Sequence, residues 1–166
     1  MTRSPARKWP WFLLSFLGAA LALVFLMVLL EPVDEADAAA PQFVEQRVKA
    51  EAGDAVARFK MAGFYARGEG VAQDLVEAAR WLKLAAEQGY APAQNNLAVC
   101  YSTGAGVPKD QGKAIEWIRK SAEQGYARAQ CYLGLSYAKG EGVPRDQAQA
   151  LEWFRKSAAQ GFPDAL

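Results

Sequence analysis

The sequence predicts an all-α protein: an α/α superhelical solenoid of three 36-residue helix-turn-helix repeats, preceded by one transmembrane helix. Three observations predict it. Gly53, Gly89, Gly125 and Gly161 stand 36 residues apart, as do Trp81, Trp117 and Trp153, and Asp74, Asp110 and Asp146. Residues 89–124 match residues 125–160 at 21 of 36 positions, a level that internal repetition explains and chance does not. Ahead of the repeats, an uncharged, mostly apolar run extends from Trp11 to Leu30.

Residues 1–10 carry Arg3, Arg7 and Lys8 and read as a basic cytoplasmic segment. The twenty residues 11–30 that follow would span roughly 30 Å as a helix, the thickness of a bilayer's hydrocarbon core. Trp9 and Trp11 sit where an interfacial aromatic belt would lie, and the positive flank sends the C-terminal body across the membrane. The expected location is therefore the bacterial inner membrane, single pass, with a periplasmic body. A cleaved secretory signal is the alternative, because Ala36-Asp37-Ala38 resembles a cleavage site, although the apolar run exceeds the usual signal core. Residues 31–41, acidic and rich in Ala and Pro, read as a linker. Residues 42–52 read as an N-terminal capping helix, since Val48, Ala50 and Gly53 fall in register with Leu84, Ala86 and Gly89.

Repeats are expected at 53–88, 89–124 and 125–160, with 161–166 starting a fourth unit or closing the array. In the third unit Ala129, Leu133 and Tyr137 recur every four residues, one stripe of a helix. The segment from Lys139 to Arg145 stops it, because its glycines accept left-handed backbone and the residue before Pro144 resists helix. Asp146 suits the N-cap of a second helix, and Asp74 with Glu77 has the spacing of a capping box. Ala150, Trp153, Phe154 and Ala158 mark the buried stripe of that second helix, which Gly161 is placed to end. No single unit can bury its stripe, so neighbours must stack.

Composition narrows the chemistry. The chain has 19 basic and 18 acidic residues; setting aside the three basic and four acidic ones of 1–37 leaves 16 and 14. That balance gives no basic footprint for nucleic acid and no acidic one for a metal, and no cofactor is expected. There is no His, which removes the commonest general base, the commonest metal ligand and every Ser-His or Cys-His nucleophile pair. The Gly-x-Gly pieces at Gly68, Gly104 and Gly140 lack the strand and third Gly of a dinucleotide fingerprint, so they read as turns. Ser136 and Lys139 have Ser-x-x-Lys spacing, but the aligned pairs are Cys100 with Thr103 and Phe64 with Arg67, which reads as ordinary variation. Cys100 and Cys131 are not expected to form a disulfide. One period earlier, Cys131 maps onto Asn95, five residues from Cys100. That is about 7.5 Å along the axis on top of an interhelix spacing of about 8–10 Å, against a Cα limit near 7 Å.

The run Ala129, Leu133, Gly134, Tyr137, Gly140, Gly142, Val143, Asp146, Ala150, Trp153, Ser157, Ala158 and Gly161 resembles the Sel1-like repeat (SLR) family, relatives of the tetratricopeptide repeats. The second unit fits with Ala98 in place of Gly134; the first departs further, with Met61 for the Leu and Ala62 for the Gly. The resemblance implies a solenoid whose first helices line a concave face. It also implies a scaffold or adaptor rather than an enzyme, since most members act so in signalling, protein quality control and the bacterial envelope. A few members are linked to β-lactam binding or hydrolysis, which makes an envelope β-lactam-binding protein or hydrolase the alternative. Projected through the tetratricopeptide pattern, the groove residues are Phe59 and Arg67, then Asn95, Val99 and Ser102, then Arg128, Cys131, Leu135 and Lys139. Val56, Gly63 and Pro92 belong to the same projection. The implied partner is another protein or a peptide.

Overall fold

A computed structural model describes residues 41–161. Seven helices occupy them: α1 (Pro41–Glu51), α2 (Ala55–Arg67), α3 (Leu75–Glu87), α4 (Ala91–Thr103), α5 (Gln111–Glu123), α6 (Ala127–Lys139) and α7 (Gln147–Ala158). Each helix packs mainly on the next, so α2–α3, α4–α5 and α6–α7 are the three hairpins of a repeat solenoid. The expected basic segment, membrane-spanning run, linker and fourth-unit start fall on 1–40 and 162–166, outside the described residues. Pro41, assigned to the linker from sequence, instead opens α1; a first-turn Pro loses no helical hydrogen bond. Among the described residues no helix is long and apolar enough to cross a membrane.

The helix ends follow from the repeated punctuation. Asp74, Asp110 and Asp146 sit in extended backbone and accept N–H bonds from the first turns of α3, α5 and α7. Asp54 does the same for α2. The capping box expected of Asp74 and Glu77 is only half made. The Asp74 N–H already donates to the Tyr65 carbonyl at 2.9 Å, so Glu77 has no cap donor to reach and pairs with Arg80. The carboxyl of Asp110 is held below the usual carboxylate range, first by the Lys113 backbone N–H.

Two core clusters run along the array. One gathers Phe43, Met61, Leu82, Leu97 and the alanines between them; the other gathers Ala98, Ile115, Ile118 and Leu133. Trp117 packs against both, so it straddles the seam. Met61, Leu97 and Leu133, each 36 residues on from the last, are fully buried. α1 closes the first hairpin: Phe43 meets Phe64 and Tyr65 edge-on at 5.7 and 5.9 Å. The stripe expected on α7 is only partly realised. Ala150 is buried, but Phe154 and Ala158 are half-exposed where Ile118 and Ala122 are covered. The first helix that would cover them, in the register of α4 and α6, would start beyond the described residues. Exposed ion pairs such as Arg47–Glu51 and Lys156–Glu152 add little, because solvent screens them.

Two glycines carry different constraints. Gly125 ends α5 with φ 88°, and a Cβ there would meet nothing within 4 Å. Gly106 has φ 72°, and a Cβ there would run into the Leu75 carbonyl oxygen. Gly125→Ala is therefore expected to cost about 1–2 kcal/mol, the left-handed penalty alone. Gly106→Ala adds a backbone clash and is expected to cost about 3 kcal/mol or more. Thermal melts of both variants check this; equal melting temperatures would contradict it.

Candidate partner-binding groove

The first helices of the repeats, α2, α4 and α6, present their residues side by side along one groove. Its larger section, about 680 Å³, is lined by Phe59, Lys60, Gly63, Phe64 and Arg67 from α2. Asn95, Asn96, Val99 and Cys100 from α4, and Arg128 and Tyr132 from α6, line it too, with Leu75, Ala78 and Leu82 of α3 behind them. A second section of about 350 Å³ lies over α4, α5 and α6, where Val99, Ser102, Ile115, Leu135, Ser136 and Lys139 face it.

Of the sequence-projected residues, Phe59, Gly63, Arg67, Asn95, Val99 and Arg128 line the first section, and Val99, Ser102, Leu135 and Lys139 the second. Three do not. Cys131 is 4% exposed and lines neither section; a small apolar side chain here sinks into the packing of α6. Its neighbour Tyr132, 43% exposed, takes the groove-facing place. Val56 and Pro92 line neither section, whereas Arg128, at the equivalent place in α6, lines the first. Asn96, Phe64, Lys60 and Tyr132 were missed because one-in-four spacing marks the core stripe and leaves its shoulders unspecified. The signal available for Asn96 was its polarity directly beside Asn95.

The floor of the groove has one unusual atom. Asn95 is 1% exposed; its Nδ2 donates to Asn96 Oδ1 at 3.1 Å, and its Oδ1 accepts from no group. A buried carbonyl without a donor costs about 1–3 kcal/mol. On the walls, Arg67 is neutralised by Glu69, bonded through Nη2 at 2.9 Å, whereas Arg128 has no carboxylate partner among the described residues. Apolar faces come from Phe59, Val99 and Tyr132.

Candidate chemistry is thin by comparison. Ser136 Oγ donates to the Tyr132 carbonyl at 3.0 Å, and Lys139 faces Glu141 at 3.9 Å. Cys100 is half-buried, and burial raises its thiol pKa, the reverse of an activated nucleophile.

A family model described as Sel1 repeat matches three times in tandem, at residues 55–90, 91–126 and 127–162. The chain belongs to the Sel1 repeat family. The matched windows open at α2, α4 and α6, so each Sel1 unit is one hairpin and its following turn. Among solved structures, it is 40% identical to a Sel1 repeat protein from Oxalobacter formigenes, covering 74% of this chain and 92% of that one, with a TM-score of 0.69. A protective antigen of uropathogenic Escherichia coli displaying an SLR fold is 39% identical over 74% of this chain, with a TM-score of 0.72. This chain spans 26% of that antigen's length. Helicobacter pylori cysteine rich protein B, 22% identical over 73% of this chain and 92% of its own, with a TM-score of 0.57, shares the fold. No curated protein matches. Sel1 repeat proteins are generally protein-interaction scaffolds and mostly non-catalytic.

Cys100 and Cys131 form no disulfide. Alkylation of the denatured chain without reductant is expected to add two labels by intact mass; a pair resistant to labelling would contradict this geometry.

Proposed function

We propose that this Sel1 repeat protein is a membrane-tethered scaffold that holds a peptide or a helix of a partner protein in the groove of α2, α4 and α6. The observation that carries the reading is Asn95: a buried carbonyl oxygen without a donor on the floor of an open groove. Such an atom is matched by an N–H of an incoming main chain, while Phe59, Val99 and Tyr132 offer apolar seats for its side chains. The uncompensated Arg128 favours an acidic residue at one end. The tether rests on the apolar run 11–30 and its three preceding cations, which favour a periplasmic body.

A photo-cross-linking amino acid placed at Val99 in the groove, or at Val76 on the outside of α3, tests the binding surface in cells expressing the full chain. A discrete adduct from position 99, absent from position 76 and weakened several-fold by Asn95→Ala, is the expected result. The same adduct from position 76 alone, or indifference to Asn95→Ala, would overturn the groove. For the tether, a C-terminal tag should resist carbonate extraction and be digested by protease added to spheroplasts. A tag found soluble in either compartment would remove the tether and leave the groove reading intact.

A further inference from the structure

The repeats place the same side chain on the same hydrogen bond, with one exception. Gln94 Nε2 donates to the Ala86 carbonyl at 3.1 Å, and Gln130 Nε2 to the Ala122 carbonyl at 3.2 Å. Each amide oxygen also accepts from the glutamine that follows the second helix of its own unit, Gln124 at 2.7 Å and Gln160 at 2.9 Å. The equivalent residue of the first unit is Arg58. Its Nε makes the same bond, to the Ala50 carbonyl at 3.1 Å, but a guanidinium has no acceptor to offer. Gln88, which would have bonded to it, turns to the Gly53 carbonyl at 2.8 Å. A glutamine serves the packing twice over in this chain; arginine at this place adds a charge and further N–H donors that no carboxylate meets among the described residues.

Those donors line a cleft of about 310 Å³ between α1, α2 and α3 that shares no residue with the groove. Arg47, Arg80, Tyr65 and Trp81 line it too. Arg47 and Arg80 are paired with Glu51 and Glu77, both also in the lining, so Arg58 is the charge left over. Trp81 supplies an independent observation. It is 6% exposed, and its indole N–H has no acceptor. A buried donor without a partner is as costly as a lost hydrogen bond and points to an oxygen that completes it. The cation over the indole also differs: Lys120 and Lys156 each sit 4.3 Å from the rings of Trp117 and Trp153, whereas Leu84 holds the equivalent place and Arg80 lies 5.2 Å from the Trp81 ring instead.

We propose that this cleft is a binding site for a small oxyanion, a carboxylate or a phosphate, held by the Arg58 guanidinium and the Trp81 indole N–H. A planar guanidinium matches either group through paired N–H bonds. The neighbouring Glu51 and Glu77 keep the site selective for a compact anion, since they repel a larger polyanion.

The test uses the full-length ¹⁵N-labelled chain, with the Trp81 indole resonance assigned by its loss in Trp81→Phe. Sodium phosphate and sodium succinate are titrated separately against a chloride control of equal ionic strength. A saturable shift of the Trp81 indole, with those of Trp117 and Trp153 unmoved, is expected from at least one anion. Phosphate alone would identify a phosphate-type ligand, and succinate alone a dicarboxylate. Arg58→Gln restores the residue of the other two units and the bond to Ala50, so it should fold normally and weaken binding at least tenfold. No shift beyond chloride with either anion, or wild-type binding by Arg58→Gln, would overturn the proposal.

Discussion

The whole array depends on one constraint: a two-helix unit this small has apolar surface on more sides than it can cover. Leu97 illustrates it. The residue belongs to the second unit, yet its burial is completed by Met61 and Leu82 of the first, and Trp117 packs on two clusters at once. Burial is therefore a property of the seam between units, of the order of 2–5 kcal/mol for a buried leucine beyond its truncated alanine form. Apolar contact alone would let units slide. Directional bonds fix them: Ser121 Oγ donates to the Ala91 carbonyl and Ser157 Oγ to the Ala127 carbonyl, each at 2.7 Å, locking the two helices of a hairpin. The glutamines at 94 and 130 bind each unit to the helix before it. With hairpin and seam both fixed, α2, α4 and α6 stand in one register, and the groove is a consequence.

Much of this was legible in the sequence because repetition reports geometry directly. A residue type recurring every 36 positions with Asp at a helix start or Gly at a helix end leaves few conformations open, and Asp110 and Gly125 adopt the expected ones. What was not legible depended on competition between neighbours. Glu77 had the spacing of a capping partner, but the N–H it would have met was taken by Tyr65 from across the turn. Phe154 had the spacing of a core residue, but spacing does not say whether a further helix lies over it. Cys131 was assigned to the groove by projection through the tetratricopeptide pattern, yet it is Tyr132 that lines it.

Function is written where the repeats stop agreeing. The positions that repeat faithfully, the glycines, aspartates and buried aliphatics, build the frame. Asn95 corresponds to Phe59 and Cys131, and Arg58 to Gln94 and Gln130, and these departures leave a buried acceptor in one place and spare donors in another. Local inconsistencies of this kind lower the stability of the frame unless something binds there, which is why they mark sites. The groove and the cleft thus rest on the same argument, applied to an orphaned oxygen and to an orphaned N–H.

The most direct measurement of the stacked account is amide hydrogen exchange on the full-length chain carrying Leu97→Ala. If burial is shared across seams, the cavity should lower stability by about 2–5 kcal/mol and reduce protection in α2 and α3 as well as in α4 and α5, because the first unit loses the surface that covers it. Faster exchange confined to residues 91–126, with α2 and α3 as protected as before, would mean that each hairpin holds itself together, and the account of the array would be wrong.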